Sequence, residues 1–235
     1  MNTKFLDIVY VVKDAAFNEE LRYSLRSVEK NFPHNKVFFY GGKPMYFHPD
    51  KLVPVVQKGK TKWDRVRSML KSIAEDDRIT ENFVLFNDDF FVMKPVENLP
   101  MYKYGTLEQL CDRIKRKNGG PTAYTNNLEL TIKKLKDNNF CTWNFELHVP
   151  MIFNRGDLRE LINLFPDTRG TRSLYGNLYG DEDDIEDMKD VKIYKTEEMP
   201  PADTVFLSTD DDSFSRGKVG KLIKSTFLDK SRWEK

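Results

Sequence analysis

Length, composition and charge already exclude several classes of protein. The chain has 235 residues, of which 39% are hydrophobic and 32% charged, so it can form an apolar core and has no bias towards disorder. Lys and Arg number 38 and Asp and Glu 37, so the net charge of +1 provides no overall attraction for nucleic acid. We expect one domain over residues 1–235 and no nucleic-acid partner.

No segment of the sequence predicts insertion into a membrane. Apolar runs such as 8–12 and 83–86 are far shorter than the roughly 20 residues of a membrane-spanning helix. The N-terminal segment carries charges early and lacks the apolar stretch and cleavage site of a signal peptide. We therefore expect a cytoplasmic protein. The Lys-rich amphipathic segment at 218–227 leaves a peripheral membrane contact open, beside its alternative as a helix at the domain edge.

The two cysteines do not indicate a metal site. Cys111 and Cys141 have neither a CxxC partner nor a histidine at zinc spacing. We expect both to be buried, reduced thiols rather than a disulfide.

The first predicted elements form a β-loop-α-β unit. Residues 5–12 are β-branched and aromatic, which predicts a buried strand. Asn18 is a suitable N-cap for a helix whose apolar residues repeat on one face, namely Leu21, Leu25 and Val28. A second strand at 36–40 follows, and this order favours a parallel pair with a right-handed crossover.

The next elements extend the same α/β pattern. A strand near 53–56 precedes a helix at about 62–74, and the side chains predicted on its apolar face are Val66, Met69, Leu70 and Ile73. The strand at 83–86 is apolar at every position, as expected for a central strand that is buried on both faces. We predict an α/β fold with a mostly parallel central sheet flanked by helices.

Two adjacent acids follow that central strand. Ligands of open α/β sheets bind beyond the carboxyl ends of the strands, and Asp88 and Asp89 lie there. Neighbouring carboxylates repel each other unless they share a cation or a proton. Mg²⁺ or Mn²⁺ held by one or two carboxylates and by substrate phosphates would relieve the repulsion. The alternative is a turn in which the Asp side chains cap backbone amides.

A second strand also ends in acids. Asp210, Asp211 and Asp212 follow an apolar run at 205–207, which repeats the order of strand and acid. We predict that one of them faces the same cleft, and we take the metal ligands to be Asp88, Asp89 and Asp211.

Several segments carry a family resemblance. NEELRYSLRS at 18–27 and FVLFNDDFFVMKPV at 83–96 resemble the second conserved region of the Stealth family. This family includes the lysosomal-enzyme N-acetylglucosamine-1-phosphotransferase and bacterial capsule sugar-phosphate transferases. Segments 7–14, 148–167 and 206–234 resemble its first, third and fourth regions, so the resemblance spans nearly the whole chain.

The resemblance implies a fold, a chemistry and a set of residues. The family is similar to GT-A glycosyltransferases, which implies a single GT-A-like domain that uses a nucleotide sugar and a divalent metal, Mn²⁺ or Mg²⁺. Asp88 and Asp89 would be the metal and catalytic carboxylates, and His148 would be the histidine of the third region. Arg172 would be its arginine, with Arg169 as an alternative in the same short loop, and Asp211 would be the acid of the fourth region.

The donor-binding residues depart from the family pattern. The first region normally continues into Trp-Val-Asp/Asn-Gly, whereas the chain has Lys13 and Asp14 followed by two alanines. Before the Asp-Asp strand the chain has three cations that can contact phosphate, Lys60, Lys62 and Arg65, although a solvated basic helix start is an equal alternative. The contacts that we predict for the nucleotide sugar are Lys13, Asp14, Arg65 and Asn87.

These observations lead to one function and two alternatives. The resemblance favours metal-dependent transfer of a sugar 1-phosphate from a UDP-sugar, or a similar nucleotide sugar, to a hydroxyl of a glycan or polysaccharide. The first alternative is transfer of the sugar itself with release of the nucleoside diphosphate, and the second is a non-catalytic module that binds glycan or nucleotide. Aromatic and amide side chains at 126–127 and 143–144 loosely predict an acceptor pocket in the middle of the chain.

Overall fold

A computed structural model describes residues 1–59 and 61–235, which form an α/β fold. The strands are β1 (Asp7–Val12), β2 (Val37–Gly41), β3 (Lys51–Pro54), β4 (Asn82–Asn87), β5 (Phe90–Val92), β6 (Met101–Lys103), β7 (Met151–Asn154), β8 (Ile185–Asp187), β9 (Lys192–Ile193) and β10 (Phe206–Thr209). The helices are α1 (Glu19–Asn31), α2 (Lys62–Glu75), α3 (Leu107–Asn118), α4 (Ala123–Asp137), α5 (Arg155–Leu164), α6 (Thr171–Tyr179), α7 (Asp211–Arg216) and α8 (Lys218–Thr226).

The main sheet has five strands in the order β3-β2-β1-β4-β7. Its first four strands are mutually parallel, and β7 pairs with β4 in the antiparallel direction. β1 lies between β2 and β4, where Val12 pairs with Gly41 and Val11 pairs with Asn87. The predicted mostly parallel central sheet is therefore confirmed, and the carboxyl ends of β1, β2 and β4 meet at one edge.

Helices cover both faces of this sheet. Side chains that alternate along β1 point to opposite sides, so Tyr10 packs in the cluster of α1 and Val9 packs in the cluster of α2. The apolar face predicted for the first helix is confirmed, since Leu21, Leu25 and Val28 are fully buried. β4 is buried on both faces, as predicted from its continuous apolar run.

Two small sheets lie beside the main one. Three strands form the sheet β5-β10-β9, and β6 pairs with β8. The chain leaves the main sheet at Asn87, turns over Asp88 and Asp89, and enters the three-stranded sheet at Phe90. This turn joins the two sheets, so side chains from both can reach it.

Some local predictions are wrong. Phe5 lies in a 3₁₀ turn before β1, where it is 71% exposed, because the Asn2 side chain caps that turn by accepting the backbone N–H of Lys4. Val66 is exposed because only the C-terminal half of α2 packs on the sheet. Cys111 is buried as expected but Cys141 is exposed, and both are free thiols.

The C-terminal segment packs against the first half of the chain. Trp233 is 1% exposed, and its indole N–H donates to Asp50 Oδ2 over 3.1 Å. Glu234 accepts two hydrogen bonds from the Arg26 guanidinium, at 2.7 and 2.8 Å. Burial opposes ionisation of Glu234, but the hydrogen bonds from Arg26 and Ser231 outweigh it and lower its pKa. This segment therefore stabilises α1.

Trp233→Ala should lower the free energy of unfolding by about 3–5 kcal/mol, because it removes a large, fully buried side chain. Urea unfolding monitored by circular dichroism measures the loss. Trp143→Ala is the matched control, since Trp143 is 38% exposed and should cost less than about 1 kcal/mol. Equal losses in the two variants would contradict the packing described.

Candidate active site

The turn between β4 and β5 carries the first predicted acid. Asp88 Oδ2 accepts a hydrogen bond of 2.6 Å from Asn18 Nδ2. Asn18 is the N-cap of α1, as predicted, and its Oδ1 accepts the backbone N–H of Leu21 over 3.0 Å. The start of α1 is therefore tied to the turn by one side chain that bonds to both.

Asp89 faces the three-stranded sheet. Its Oδ2 accepts hydrogen bonds from Lys192 Nζ at 2.8 Å and from Ser208 Oγ at 3.0 Å. Lys192 begins β9 and Ser208 lies in β10, so both contacts tie the turn to the three-stranded sheet. Burial disfavours the charged amine of Lys192, but Asp89 outweighs this and raises its pKa. Nothing in the sequence near Lys192 indicates this role.

Glu20 is a third acid of the site and was not predicted. It is buried on α1, and its Oε1 accepts the hydroxyl of Thr209 over 3.0 Å. Burial, followed by the charge of Asp89, raises the pKa of Glu20 to about 8, and Asp88 and Asp211 add to the rise. The signal was in the segment 18–27 that carries the family resemblance. The carboxylates are thus close enough to repel one another.

The same crowding acts on Asp88. Burial is the main cause that raises its pKa, and the charge of Asp89 is the second. The positive charge of Lys13 and the hydrogen bond from Asn18 act in the opposite direction. An added cation near Asp88 would stabilise its ionised form.

His148 is held by an aspartate. Its Nδ1 is 2.7 Å from Asp190 Oδ2, and its backbone N–H donates to Asp190 Oδ1 over 2.9 Å. Burial opposes ionisation of Asp190, but the hydrogen bonds from His148 lower its pKa. Because Nδ1 faces a carboxylate, it carries the proton of the neutral ring and leaves the lone pair on Nε2. Asp190 was not predicted, and no motif marks it.

Arg172 lies near the ring of Phe90, as His148 does. Its guanidinium carbon is 5.5 Å from the centre of the Phe90 ring, and the His148 ring centre is 6.4 Å from the same point. Nη1 donates to the carbonyl of Val149 over 2.8 Å, while Nη2 is buried and has no hydrogen-bond partner within 1–59 and 61–235. Arg169, the alternative, instead forms an ion pair of 3.0 Å with Asp64.

A partly buried acid, Glu146, lies close to Arg172. Glu146 Oε1 accepts the backbone N–H of Ser173 over 2.9 Å, and burial raises the pKa of this carboxyl. Burial lowers the pKa of Arg172, and the charges of Glu146, Asp190 and Asp89 oppose the change. The charges of these three acids therefore stabilise the protonated guanidinium.

One cavity brings together three of the four predicted donor contacts. It measures about 860 Å³ at the carboxyl ends of β1, β2 and β3, and it is lined by Lys13, Asp14 and Arg65; we name it the Lys13 cavity. Gly41 also lines it and has a φ of +113°, and a Cβ there would lie 2.3 Å from the Val12 carbonyl oxygen. The fourth predicted contact, Asn87, ends β4.

A neighbouring cation of the prediction, Lys62, does not line this cavity. Lys62 is exposed, with its Nζ 5.2 Å from the centre of the Trp63 ring. Lys60 falls outside the residues that the structure describes.

A second cavity opens beside the histidine. It measures about 350 Å³ and is lined by His148, Asp190 and Lys192 together with side chains from α3, and we name it the His148 cavity. Lys192, which lines this cavity, contacts Asp89, and Lys13, which lines the first cavity, acts on Asp88 through its charge. Each cavity therefore has one lining cation that is linked to an acid of the turn.

The donor chemistry at the turn fits a hard cation. Asp88 and Asp89 both use Oδ2 in the hydrogen bonds above, which leaves a second oxygen on each, and Mg²⁺ or Mn²⁺ commonly takes one or two carboxylates plus phosphate oxygens. Asp211 is exposed in the first turn of α7, while Asp210 caps that helix through Ser213. Within the described ranges, no three His, Cys, Asp or Glu side chains are grouped closely enough to bind a metal, so the set with Asp211 stays a prediction.

No family model and no curated protein matches the sequence. Among solved structures, the chain is similar to the apo form of the glycosyltransferase GlyE of Streptococcus pneumoniae TIGR4, with 11% identity, a TM-score of 0.48 and coverage of 95% of this chain and 60% of that one. Another GlyE structure is covered over 46% of its length, so the chain spans about half of GlyE.

Structures of LgtC are similar at the same level. An active-site mutant aligns with 10% identity, a TM-score of 0.48 and coverage of 94% and 95% of the two chains. The galactosyltransferase LgtC in complex with donor and acceptor sugar analogues aligns with 11% identity and a TM-score of 0.41. The alignment covers 81% of this chain and 76% of that one. All these TM-scores lie below 0.5, so the function proposed below rests on the residues of this chain.

None of the helices in the described part of the chain has the length and apolar character needed to cross a membrane.

Glu20→Gln should remove a pH dependence of stability. The pKa of Glu20 is raised from 4.5 to about 8 in the folded chain, so the wild type loses stability as pH rises between these values, by about 1.4 kcal/mol per unit at most. Urea unfolding at pH 5, 6.5 and 8 gives the slope. The variant should show a flatter profile over this range, and identical slopes would contradict the crowding of Glu20.

Proposed function

We propose that the chain transfers a sugar 1-phosphate from a UDP-sugar, or a similar nucleotide sugar, to a hydroxyl of a glycan. One observation carries the proposal. The acids of the β4–β5 turn, the His148–Asp190 pair and Arg172 come from distant parts of the sequence, yet His148 and Arg172 both lie near the ring of Phe90, the residue that follows the two acids. Lys13 and Lys192, which line the two cavities, act on these same acids. Carboxylates, a base and a buried guanidinium are the groups that phosphoryl transfer uses.

The Lys13 cavity suits the nucleotide sugar. Its volume of about 860 Å³ falls within the range of roughly 300–1,000 Å³ for ligand sites. Lys13 and Arg65 line it and bring positive charge to the carboxyl ends of the strands, where a diphosphate would lie. In this arrangement the sugar phosphate points towards Asp88.

Asp88 and Asp89 would hold Mn²⁺ or Mg²⁺. A divalent cation bound there supplies the positive charge that stabilises the diphosphate as its bond breaks. Lys192, at 2.8 Å from Asp89, contributes a fixed positive charge of the chain itself to the same position.

His148 would accept the proton of the acceptor. A bond forms between the acceptor oxygen and the phosphorus next to the sugar, the bond from that phosphorus to UMP breaks, and the hydroxyl proton passes to His148 Nε2. Asp190 holds the Nδ1 proton over 2.7 Å and stabilises the imidazolium that results. The buried Nη2 of Arg172, which lacks a partner among the described residues, would donate to a phosphate oxygen.

A second candidate is transfer of the sugar itself with release of UDP. The sequence favours it at one position, because residues 12–16 lack the Trp and Gly of the family's first region. The same residues would serve, with attack at the anomeric carbon instead of phosphorus.

Product analysis separates the candidates. With Mn²⁺, a panel of UDP-sugars and mixed glycan acceptors, we expect UMP to form. Asp89→Asn should slow its formation by at least about 100-fold, because the change removes a charge from the reacting centre. Asp212→Asn is the control, since Asp212 is exposed and pairs only with Arg216 among the described residues.

The outcomes of this assay are distinct. UDP in place of UMP would contradict phosphate transfer and favour the second candidate. Release of neither nucleotide with any donor, together with retained UDP binding, would identify a non-catalytic binding module.

Arg65→Gln should weaken UDP binding by about fivefold, because the variant removes one exposed cation from the Lys13 cavity. The rise in melting temperature on adding UDP and Mn²⁺ should shrink accordingly. Lys62→Gln removes a charge one helical turn away that does not line the cavity, and its shift should equal that of the wild type. If both variants lose the same shift, the cavity does not bind the nucleotide.

A further inference from the structure

We propose that the His148 cavity binds the acceptor and selects an acidic glycan, a sugar chain that carries carboxylate or phosphate groups. The inference rests on the proposed function for the assignment of this cavity to the acceptor. The selectivity for an acidic glycan is inferred from the positive charge and the aromatic side chains of the cavity lining.

The position of the cavity suits an acceptor. His148 and Asp190 form part of its wall, and Lys192 joins the wall to Asp89. A hydroxyl held in this cavity would therefore be near the base and near the acids of the β4–β5 turn. The Lys13 cavity has none of these three residues in its lining.

The lining is cationic although the chain as a whole is nearly neutral. Four Lys and Arg side chains line the cavity against two acids. Asp190 is paired with His148, and Lys192 forms an ion pair with Asp89. The acid that remains is Glu146, which accepts a backbone N–H and whose pKa is raised by burial.

The remaining cations are available to a ligand. Arg113, Lys117 and Lys189 are exposed, and none forms an ion pair with a carboxylate in the described part of the chain. Arg113 and Lys117 are four residues apart on α3, so they lie on one face of the helix and both reach the cavity. Two positive charges in a row match an extended chain with repeated negative charges better than a single ion.

Aromatic side chains complete the wall. Tyr104 is 41% exposed and Tyr194 is 50% exposed, and both line the cavity with Tyr124. Lys117 Nζ is 5.0 Å from the centre of the Tyr194 ring, so the cation and the ring form one surface. Exposed tyrosines offer an apolar face for the C–H groups of a sugar and a hydroxyl for its oxygens. Such a surface binds a sugar, whereas cations alone would bind any anion.

The aromatic and amide side chains predicted for the acceptor pocket, at 126–127 and 143–144, are only partly present in this lining. Asn144 lines the cavity, where its Oδ1 accepts the backbone N–H of Glu146 over 3.0 Å. Asn126 and Asn127 lie on α4 and are absent from the lining, as is Trp143. The acceptor wall is therefore built by α3 and the segment before β9 instead.

Direct binding without any donor tests the selection. Isothermal titration with three tetramers compares hyaluronan tetrasaccharide, which has carboxylates, tetra(glycerol phosphate), which has phosphates, and neutral chitotetraose. At least one acidic probe should bind tenfold or more tightly than chitotetraose, and the two probes distinguish carboxylate from phosphate recognition.

Matched double variants connect the binding to the cavity. The double variant Arg113→Gln with Lys117→Gln should bind the acidic probe about tenfold more weakly than the wild type, and its affinity for chitotetraose should be unchanged. The control variant Lys115→Gln with Arg116→Gln also removes two positive charges from α3, but at residues that do not line the cavity. Its affinity for the acidic probe should stay within about twofold of that of the wild type. Circular dichroism melting shows that both variants are folded.

The results that would overturn the inference are definite. Equal affinity for chitotetraose and both acidic probes excludes selection by charge, and equal losses in the two double variants exclude the cavity. The titration contains no donor and therefore tests the glycan site independently of catalysis. Binding that follows the prediction, with no nucleotide released in the separate assay with UDP-sugars and Mn²⁺, would contradict the transferase and retain the acidic-glycan site. Nucleotide release that proceeds equally well with chitotetraose as acceptor would contradict the acidic-glycan site alone.

Discussion

Repulsion among carboxylates at the end of β4 is the constraint around which the rest of the site is arranged. Glu20, Asp88 and Asp89 lie close enough to raise the pKa of two of the three. Two contacts partly offset this repulsion: the amine of Lys192 contacts Asp89, and Asn18 donates a hydrogen bond to Asp88. Such a cluster costs folding free energy, and it attracts a cation or a cationic face of a ligand.

The topology explains why these groups meet. Four parallel strands end at one edge of the main sheet, and the chain passes from β4 into the small sheet through two residues, Asp88 and Asp89. Lys13, which lines the Lys13 cavity, acts on Asp88 through its charge, and Lys192, which lines the His148 cavity, contacts Asp89. A donor in the first cavity and an acceptor in the second would therefore each lie beside a cation that is linked to these acids, and a transfer reaction needs its two substrates to be held close together.

Local sequence patterns predicted the central strands and helices, but they did not predict which side chains from distant parts of the sequence pair with one another. The apolar run of β4 identified a strand buried on both faces and so located Asp88 and Asp89, and Asn18 was recognisable as an N-cap. The bonds from His148 to Asp190 and from Lys192 to Asp89 join residues 42 and 103 positions apart, and no periodicity encodes such pairs. The antiparallel β7 and the exposed Val66 likewise depend on tertiary packing.

The central claim is that a nucleotide diphosphate lies between the cations of the Lys13 cavity and the acids of the β4–β5 turn. A crystal structure of the chain with Mn²⁺ and a slowly reacting UDP-sugar analogue tests it most directly. The account predicts the diphosphate beside Lys13 and Arg65, with manganese density against Asp88 and Asp89. Nucleotide density elsewhere on the chain, or an ion that contacts neither aspartate, would contradict it.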